Sequence, residues 1–309
     1  MAVSNSRPLA VSNSRPLAVP NESDGLSWGD LVTEAQTRLG HNANPNAAGE
    51  ARWLVEEAAG FTSAELVLRR SEAPTVGGVS RFDAMLARRA AGEPIQYVLG
   101  HWPFRSLDLL VDRRALIPRP ETESLAGHAL AVLEPMIGNP TVVDLGTGCG
   151  AIGLSIAAEN RSARVWLTDS DHDTLALARA NSAGLGTAGA RVTIVSGSWF
   201  EALDASLRGE VTLIVSNPPY IPDGEPLPES VIGWEPAKAL FSGPRGLDAI
   251  EALLLGAQDW LSRRGTILLE HGHNQGSSVA ELAEMAGFVD VVTHTDNNGH
   301  DRVLQAVKA

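Results

Sequence analysis

The run Val211-Thr212-Leu213-Ile214-Val215-Ser216-Asn217-Pro218-Pro219-Tyr220 joins an apolar strand pattern to a motif that ends the strand. Its first half is apolar and rich in β-branched residues, which predicts a buried strand of a parallel sheet. The two prolines then remove two backbone donors and fix two φ angles, so the chain leaves the sheet along a defined path. Because open α/β sheets bind ligands beyond the carboxyl ends of their strands, Asn217 to Tyr220 are predicted to lie in a binding crevice.

The motif at this crevice suits a reaction at a planar amide or aromatic amine nitrogen. Such a nitrogen is a poor nucleophile because its lone pair is delocalised. The side-chain oxygen of Asn217 and the carbonyl oxygen of Pro218 would accept its two hydrogens and turn the lone pair toward an electrophile. Pro219 would stiffen the turn, and Tyr220 would stack on the planar group. A strand that ends at a Pro-Pro turn for packing alone would leave the same residues, but their position after five apolar residues favours function.

From Thr141 to the end of the chain, strand patterns alternate with helical patterns. This alternation predicts an α/β fold with a doubly wound, mostly parallel sheet. Seven strands are predicted, at 141–145, 164–168, 192–196, 211–216, 266–270, 288–294 and 302–307. Helices are predicted at 123–137, 151–159, 174–182, 250–261 and 278–286.

The residues before the sheet predict a small helical domain and a linker. Apolar residues at helical spacing (Leu31, Ala35, Leu39), a Thr62–Glu65 capping box and a helix at 81–91 predict a helical domain over 25–93. Alternating apolar residues around Gly100 predict a β-hairpin over 94–117, which joins this domain to the sheet domain over 118–309. Residues 2–9 and 10–17 repeat the polar segment AVSNSRPL, which predicts a disordered tail over 1–24.

Composition restricts the compartment and the partners. The 309 residues include one cysteine, which excludes an internal disulfide, and no apolar run reaches the roughly 18 residues of a membrane span. The start of the chain lacks a secretory signal, so we expect a cytoplasmic protein. The net charge is −13, and residues 116–309, with 12 basic and 24 acidic residues, carry −12 of it. Nucleic acid binding depends on basic surface, so a nucleic acid partner is disfavoured, although a local basic patch is compatible with this count.

The loop after the first sheet strand carries a second motif, Gly148-Cys149-Gly150-Ala151-Ile152-Gly153, which matches G-x-G-x-x-G. Asp169 follows Gly150 by 19 residues, where an acid binds the ribose of an adenosine cofactor. A nicotinamide dehydrogenase would show both features. Asp144, however, would repel a pyrophosphate and could hold a cationic amine, and the Asn217 motif orients a nitrogen nucleophile. Both details favour S-adenosylmethionine, which carries a sulfonium and an ammonium but no phosphate.

Three other residue groups have side chains that could take part in chemistry. Trp199 and Phe200 follow the third sheet strand, where an adenine ring could stack on them or where they could simply pack in the core. Cys149 is best interpreted as a small residue of the turn, because no histidine lies near it in sequence. His271 and His273 flank Gly272, but nothing else stands at metal-ligand spacing, so no metal is expected.

The segment from Asp144 to Gly150 resembles the cofactor loop of class I S-adenosylmethionine-dependent methyltransferases. Asn217-Pro218-Pro219-Tyr220 is similar to the motif of those enzymes that methylate an amide or amino nitrogen. Together they resemble the HemK/PrmC family, the protein-glutamine methyltransferases that modify peptide chain release factors. The resemblance covers roughly residues 25–307 and includes, in order, the stretches 92–100, 116–123, 198–200, 214–221, 234–240, 246–248 and 296–302.

The resemblance implies a seven-stranded class I methyltransferase sheet and a helical N-terminal domain that helps to hold the release factor. The implied reaction transfers a methyl group in line from S-adenosylmethionine to the glutamine amide of a Gly-Gly-Gln loop, leaving S-adenosylhomocysteine and using no covalent enzyme intermediate. The catalytic motif would be Asn217 to Tyr220. The implied cofactor residues are Asp144, Gly146, Thr147, Gly148, Cys149, Gly150, Asp169 (ribose), Trp199 (adenine) and Asn217.

Two departures from the family pattern stand out, and two other functions remain open. Ser198 occupies the place of a usual aspartate, and His271 to Gln275 differ from the commoner glycine-rich version. One alternative function is methylation of an amino group on a nucleic acid base, which would need base flipping and a basic groove. The other is a binding module that keeps the fold without activity.

Overall fold

The computed structural model describes residues 25–41, 44–296 and 298–309. The described residues form two compact units, which divide between Ala90 and Ala91. The predicted tail with its tandem repeat lies outside the described residues, and the predicted four-part division of the chain stays a prediction.

The first unit is helical, as the spacing of its apolar residues predicts. Leu31, Ala35 and Leu39 are at most 1% exposed on one face, and Thr62 and Glu65 form the predicted capping box. The fourth helix begins earlier than the predicted residue 81. The helices are α1 (Trp28–Gly40), α2 (Ala47–Ala59), α3 (Ser63–Arg69) and α4 (Val76–Ala90).

The second unit opens with a short helix, a hairpin and a longer helix. The hairpin is antiparallel, as predicted, but it is confined to ten residues, 101–110, and its two strands turn between Phe104 and Leu107. The prediction of hairpin structure from residue 94 was wrong, because residues 95–99 form a helix that ends at Gly100 with φ 84°. These elements are α5 (Ile95–Leu99), β1 (His101–Phe104), β2 (Leu107–Leu110) and α6 (Pro120–Leu133).

A seven-stranded, mostly parallel sheet forms the centre of this unit, which confirms the predicted fold class. Its strand order is β5-β4-β3-β6-β7-β9-β8, and only β9 runs against its neighbours. The strand β7 begins five residues before the predicted start. The strands are β3 (Thr141–Leu145), β4 (Arg164–Asp169), β5 (Val192–Ser196), β6 (Val211–Ser216), β7 (Leu261–Glu270), β8 (Phe288–Thr295) and β9 (Asp301–Lys308).

Helices cover both faces of the sheet, so its central strands are buried on both sides. Alternate residues of β6 point to opposite faces: Leu213 and Val215 join one apolar cluster, and Ile214 joins the other. The first cluster includes residues of α6 and α7, and the second includes residues of α10 and α11. The helices are α7 (Ala151–Glu159), α8 (His172–Gly184), α9 (Glu229–Ile232), α10 (Asp248–Trp260) and α11 (Gly276–Met285).

The chain reverses its winding direction between β3 and β6. From β3 it continues outward through β4 and β5, and it then returns to form β6 and β7 on the other side. Such a switch point opens a crevice at the carboxyl ends of the two central strands. Ser216 Oγ donates a hydrogen bond of 2.6 Å to the carbonyl of Leu145, so the two ends are held together at the crevice.

Candidate active site

A cavity lies at the switch point, and most of the predicted site residues line it. From the loop after β3 come Gly146, Thr147, Gly148 and Cys149, and Asp169 comes from the end of β4. Trp199, Asn217 and Pro219 are the other predicted residues that line it, and Thr122, Lys238 and Arg119 add a polar rim. Asp144, Gly150, Pro218 and Tyr220 do not line the cavity, so the structure brings together eight of the twelve predicted residues.

The loop after β3 is a glycine turn that needs left-handed backbone at alternate positions. Gly146, Gly148 and Gly150 have φ values of 70°, 60° and 93°, which residues with a side chain rarely adopt. A Cβ on Gly146 would also lie 3.0 Å from Cζ3 of Trp199. The loop therefore brings bare backbone to the cavity wall.

Asp144 holds this loop from beneath. Its side chain is fully buried, and its Oδ2 accepts hydrogen bonds from Thr147 Oγ1 at 2.6 Å and from the Gly153 amide at 2.9 Å. Burial raises the pKa of Asp144 to about 6. The carboxylate thus stabilises the start of α7, where negative charge is favoured by the helix dipole. Its direct contact with a cofactor ammonium stays a prediction.

Asp169 is placed to accept further hydrogen bonds at the cavity. Its Oδ2 accepts the amide of Gly148 at 3.1 Å and its Oδ1 that of Asp171 at 3.0 Å. A carboxylate has about four acceptor positions, so two stay available to a ligand. Burial raises the pKa of Asp169 above its ordinary value.

The two aromatic residues after β5, Trp199 and Phe200, lie in different places, one at the cavity and the other in the core. Trp199, with φ 45°, lines the cavity beside Gly146 and Ser198. Phe200 instead stacks on Trp260 with ring centroids 6.2 Å apart. The core-packing interpretation thus holds for Phe200, and stacking of an adenine ring on Trp199 stays a prediction.

Asn217 belongs to a network of side chains that the sequence did not reveal. Its Nδ2 donates to Thr122 Oγ1 at 3.1 Å, and Thr122 Oγ1 donates to Glu270 Oε2 at 2.7 Å. Tyr220 Oη donates to the other carboxylate oxygen, Oε1, at 3.3 Å. Thr122 and Glu270 are thus functional candidates that sequence reasoning missed. Glu270 had one usable signal: it ends a buried strand beside β6 at the edge of the sheet where ligands bind.

Glu270 is a buried carboxylate that relies on hydroxyl groups for its hydrogen bonds. It is 1% exposed, and within the described residues it makes no ion pair. Burial raises its pKa to about 7, while Thr122, Arg302 and Tyr220 oppose that shift. Burial also raises the pKa of Tyr220.

The remaining residues of the motif after β6 lie deeper than expected. Pro218 is buried, and its carbonyl accepts no backbone hydrogen bond from the part of the chain described here. Tyr220 is half-buried against the second apolar cluster, and its carbonyl accepts from Gln275 Nε2 at 2.9 Å. The predicted stacking of Tyr220 on a planar substrate stays a prediction.

Two ion pairs attach the segment after β6 to the cavity rim. Lys238 pairs with Asp171, which follows β4, and its hydrogen bond lowers the pKa of Asp171 to about 2. Arg119 pairs with Glu235, whose other oxygen accepts the Ile117 amide at 3.2 Å. Each of these two rim cations is thus paired with an acid.

Cys149 and His271 are both buried. Burial raises the pKa of the Cys149 thiol to about 12, which disfavours the thiolate that a nucleophile needs. His271 is fully buried with its Nδ1 at 2.9 Å from the Gly272 carbonyl.

Two classes of feature are missing from the described ranges. No helix there combines the length and the apolar character needed to cross a bilayer. No group of three or more histidine, cysteine, aspartate or glutamate side chains in these ranges is arranged to hold a metal ion.

Comparison with known proteins identifies the family. Residues 30–100 match the model of the PrmC N-terminal domain, and residues 129–230 match the methyltransferase small domain. A release factor glutamine methyltransferase of Burkholderia pseudomallei is 40% identical over 258 residues, which are 82% of this chain and 90% of that protein. One of Cereibacter sphaeroides is 39% identical over 279 residues, 90% of this chain and 97% of that protein. With this identity over nearly the whole length, the chain belongs to the release factor glutamine methyltransferase family.

Proposed function

We propose that this chain transfers a methyl group from S-adenosylmethionine to the side-chain amide nitrogen of the glutamine in the Gly-Gly-Gln loop of peptide chain release factors. Membership of the release factor glutamine methyltransferase family supports the reaction and the substrate. The observation that carries the proposal is the position of Asn217, whose amide nitrogen is committed to Thr122 while its oxygen is left for a substrate.

The cavity residues fit S-adenosylmethionine. Gly146 and Gly148 bring backbone without side chains to its wall, and Asp169 keeps acceptor positions for a ribose diol. Trp199 offers a ring to an adenine base. S-adenosylmethionine supplies a methyl group on a sulfonium, which makes that carbon electrophilic.

The chain's own contribution is to bind and orient the glutamine amide. In a planar amide the nitrogen lone pair is delocalised into the carbonyl. Asn217 Oδ1 and the Pro218 carbonyl would accept the two N–H hydrogens and so set the plane of the amide. These bonds strengthen as positive charge develops on nitrogen, which stabilises the transition state more than the ground state. Pro219 lies beside Asn217 at the cavity, and its ring restricts the backbone that holds these acceptors.

A cytoplasmic location follows from this function, because release factors act in translation. The single buried cysteine suits a reducing compartment. Release factors are the proposed partners, and a nucleic acid is not the proposed substrate, in keeping with the acidic balance of residues 116–309.

The proposal is tested with labelled methyl groups. The full chain is incubated with methyl-labelled S-adenosylmethionine and a purified release factor, beside a copy of that factor whose loop glutamine is replaced by alanine. Label in the first factor alone is the expected result. Label in neither, with cofactor binding intact, would overturn the proposal, and label in an added oligonucleotide would support the nucleic acid alternative.

A further inference from the structure

We propose that Glu270 is a positioning residue for the methyl transfer: acting through Thr122, it fixes the Asn217 amide so that Oδ1, and not Nδ2, faces the glutamine. This inference rests on the proposed function, in which Asn217 must act as an acceptor. It assigns a role to a buried carboxylate that lies outside both sequence motifs.

The directions of the hydrogen bonds carry the inference. A threonine hydroxyl has one hydrogen to donate and two lone pairs to accept with. The hydrogen of Thr122 Oγ1 is committed to Glu270 Oε2, at 2.7 Å. Toward Asn217, Thr122 can therefore only accept, which selects Nδ2 of Asn217, at 3.1 Å. The Asn217 oxygen is then left to face the opposite way.

The chemistry of a carboxylate explains why an acidic residue ends β7. An ionised carboxylate only accepts hydrogen bonds, so Glu270 compels both of its hydroxyl neighbours, Thr122 and Tyr220, to donate to it. A group able to donate could give its hydrogen to Thr122. The Thr122 hydroxyl would then be free to donate to Asn217 Oδ1. The side-chain amide of Asn217 would flip and present its N–H groups to the substrate.

The sheet register places these groups side by side. Ser216 of β6 pairs with Leu269 of β7, so Asn217 and Glu270 occupy equivalent positions at the ends of neighbouring strands. Thr122 lies in the first turn of α6 and is 3% exposed, so water competes little for its hydroxyl. The whole relay belongs to the second compact unit.

The test compares three side-chain changes in the full chain. Thr122→Val removes the relay hydroxyl at nearly constant shape, Thr122→Ser restores a hydroxyl, and Glu270→Gln replaces the acceptor by a group that also donates. Thr168→Val is the matched control, because the Thr168 hydroxyl is buried in β4 and has no hydrogen-bond partner. For each variant we would measure kcat and KM for release factor methylation, the Kd of S-adenosylhomocysteine and the Tm.

The inference predicts a selective loss of turnover. Thr122→Val and Glu270→Gln should each lower kcat by about 10- to 100-fold, while the cofactor Kd and the release factor KM stay within about 3-fold. Thr122→Ser should recover most of the wild-type kcat, and Thr168→Val should equal wild type. A variant that combines Thr122→Val with Glu270→Gln should be no slower than the slower of the two single variants by more than about 3-fold, because both changes act through the same amide.

Three results would overturn the inference. A wild-type kcat in Thr122→Val would show that the relay has no role in turnover. Losses of kcat that multiply in the double variant would show that Thr122 and Glu270 have separate roles. Losses of cofactor affinity and Tm in parallel with kcat would reduce Glu270 to a structural residue. Wild-type protein that labels no release factor would instead refute the proposed function, so the two failures are distinguishable.

Discussion

Gly153 lies so close to Leu167 that a Cβ added to it would stand 2.1 Å from Leu167 Cδ2. The same glycine donates its amide to Asp144 beneath the cofactor loop. One residue of α7 therefore fixes both the distance between helix and sheet and the position of the glycine loop at the cavity.

Gly153→Ala is expected to destabilise the second unit and weaken cofactor binding. Overpacking of a rigid core costs about 1–3 kcal/mol, which corresponds to a fall in Tm of about 3–10 °C in a domain of this size. Differential scanning calorimetry measures the first effect and calorimetric titration with S-adenosylhomocysteine the second. Gly127→Ala in α6 is the control, since the nearest atom to the added Cβ would be Nη1 of Arg105, at 3.4 Å. Equal Tm values for the two variants would contradict this packing role.

Asp169→Asn is expected to weaken cofactor binding by about 10- to 100-fold. A hydrogen bond to a charged group contributes about 1.5–3 kcal/mol. In the variant, the asparagine side chain would present an N–H donor to one ribose hydroxyl, where the carboxylate presents an acceptor. Isothermal titration with S-adenosylhomocysteine measures the Kd. Asp173→Asn, at an exposed carboxylate that does not line the cavity, should leave the Kd unchanged. A Kd within 2-fold of wild type in Asp169→Asn would argue against the ribose contact.

Asn217→Ala is expected to lower kcat by about 10²-fold with little change in cofactor affinity. The change removes a preorganised acceptor that acts on the substrate amide in the transition state. Steady-state kinetics with a release factor and a cofactor titration separate the two quantities. Wild-type turnover in this variant would refute the role of the amide.

The activity of the wild-type protein should depend on the ionisation of Glu270. Burial raises the pKa of Glu270 to about 7. The groups that face it are Thr122 and Glu121 of α6, Tyr220, and Arg302 of β9. The positive charge of Arg302 favours the ionised form of Glu270. Since only the carboxylate accepts both hydroxyl hydrogens, kcat should fall as the pH drops through about 7. Glu270→Gln should be slow at every pH and lack this step. A step retained in Glu270→Gln would assign the titration to another group.

The same pKa has a consequence for stability. The pKa of Glu270 in the folded protein lies above its ordinary value of 4.5. Its contribution to the free energy of unfolding is therefore favourable at low pH and is lost as the pH rises to about 7. The free energy of unfolding of Glu270→Gln, taken relative to that of wild type, should therefore rise by up to about 3 kcal/mol between pH 4.5 and 7.5. Urea unfolding at both pH values measures the difference, and a constant difference would contradict the raised pKa.

The sequence predicted most of the sheet because its strands are bounded by unambiguous turn residues. Strands β3, β5 and β6 match their predicted bounds, since a glycine or a proline follows each within two residues, and helix α7 matches its bounds, since it begins directly after Gly150. The early start of α4 was missed because Gly77 and Gly78 have low helix propensity. Packing overrides that propensity: a Cβ on Gly78 would lie 2.5 Å from Trp28, and Thr75 caps the helix by accepting the Gly78 amide. The five residues of α5 are too few to show a helical period.

The site was predictable only as far as its motifs are local. The glycine loop, Trp199 and Asn217 follow strands and Asp169 ends one, and parallel topology brings strand ends together. Thr122 and Glu270 lie 148 residues apart in the chain, and no spacing rule connects them. The inward position of Asp144 was also hidden, because a residue at the end of a strand can face the ligand or the helix behind it.

The most direct test of the central claim is mass spectrometry of the Gly-Gly-Gln peptide from a release factor treated with the wild-type chain and S-adenosylmethionine. The account predicts one added methyl group, fragmentation that assigns it to the glutamine side-chain nitrogen, and its near absence when Asn217→Ala is used for the same time. A methyl group on another residue, or an unmodified peptide under conditions in which the cofactor is bound, would contradict it.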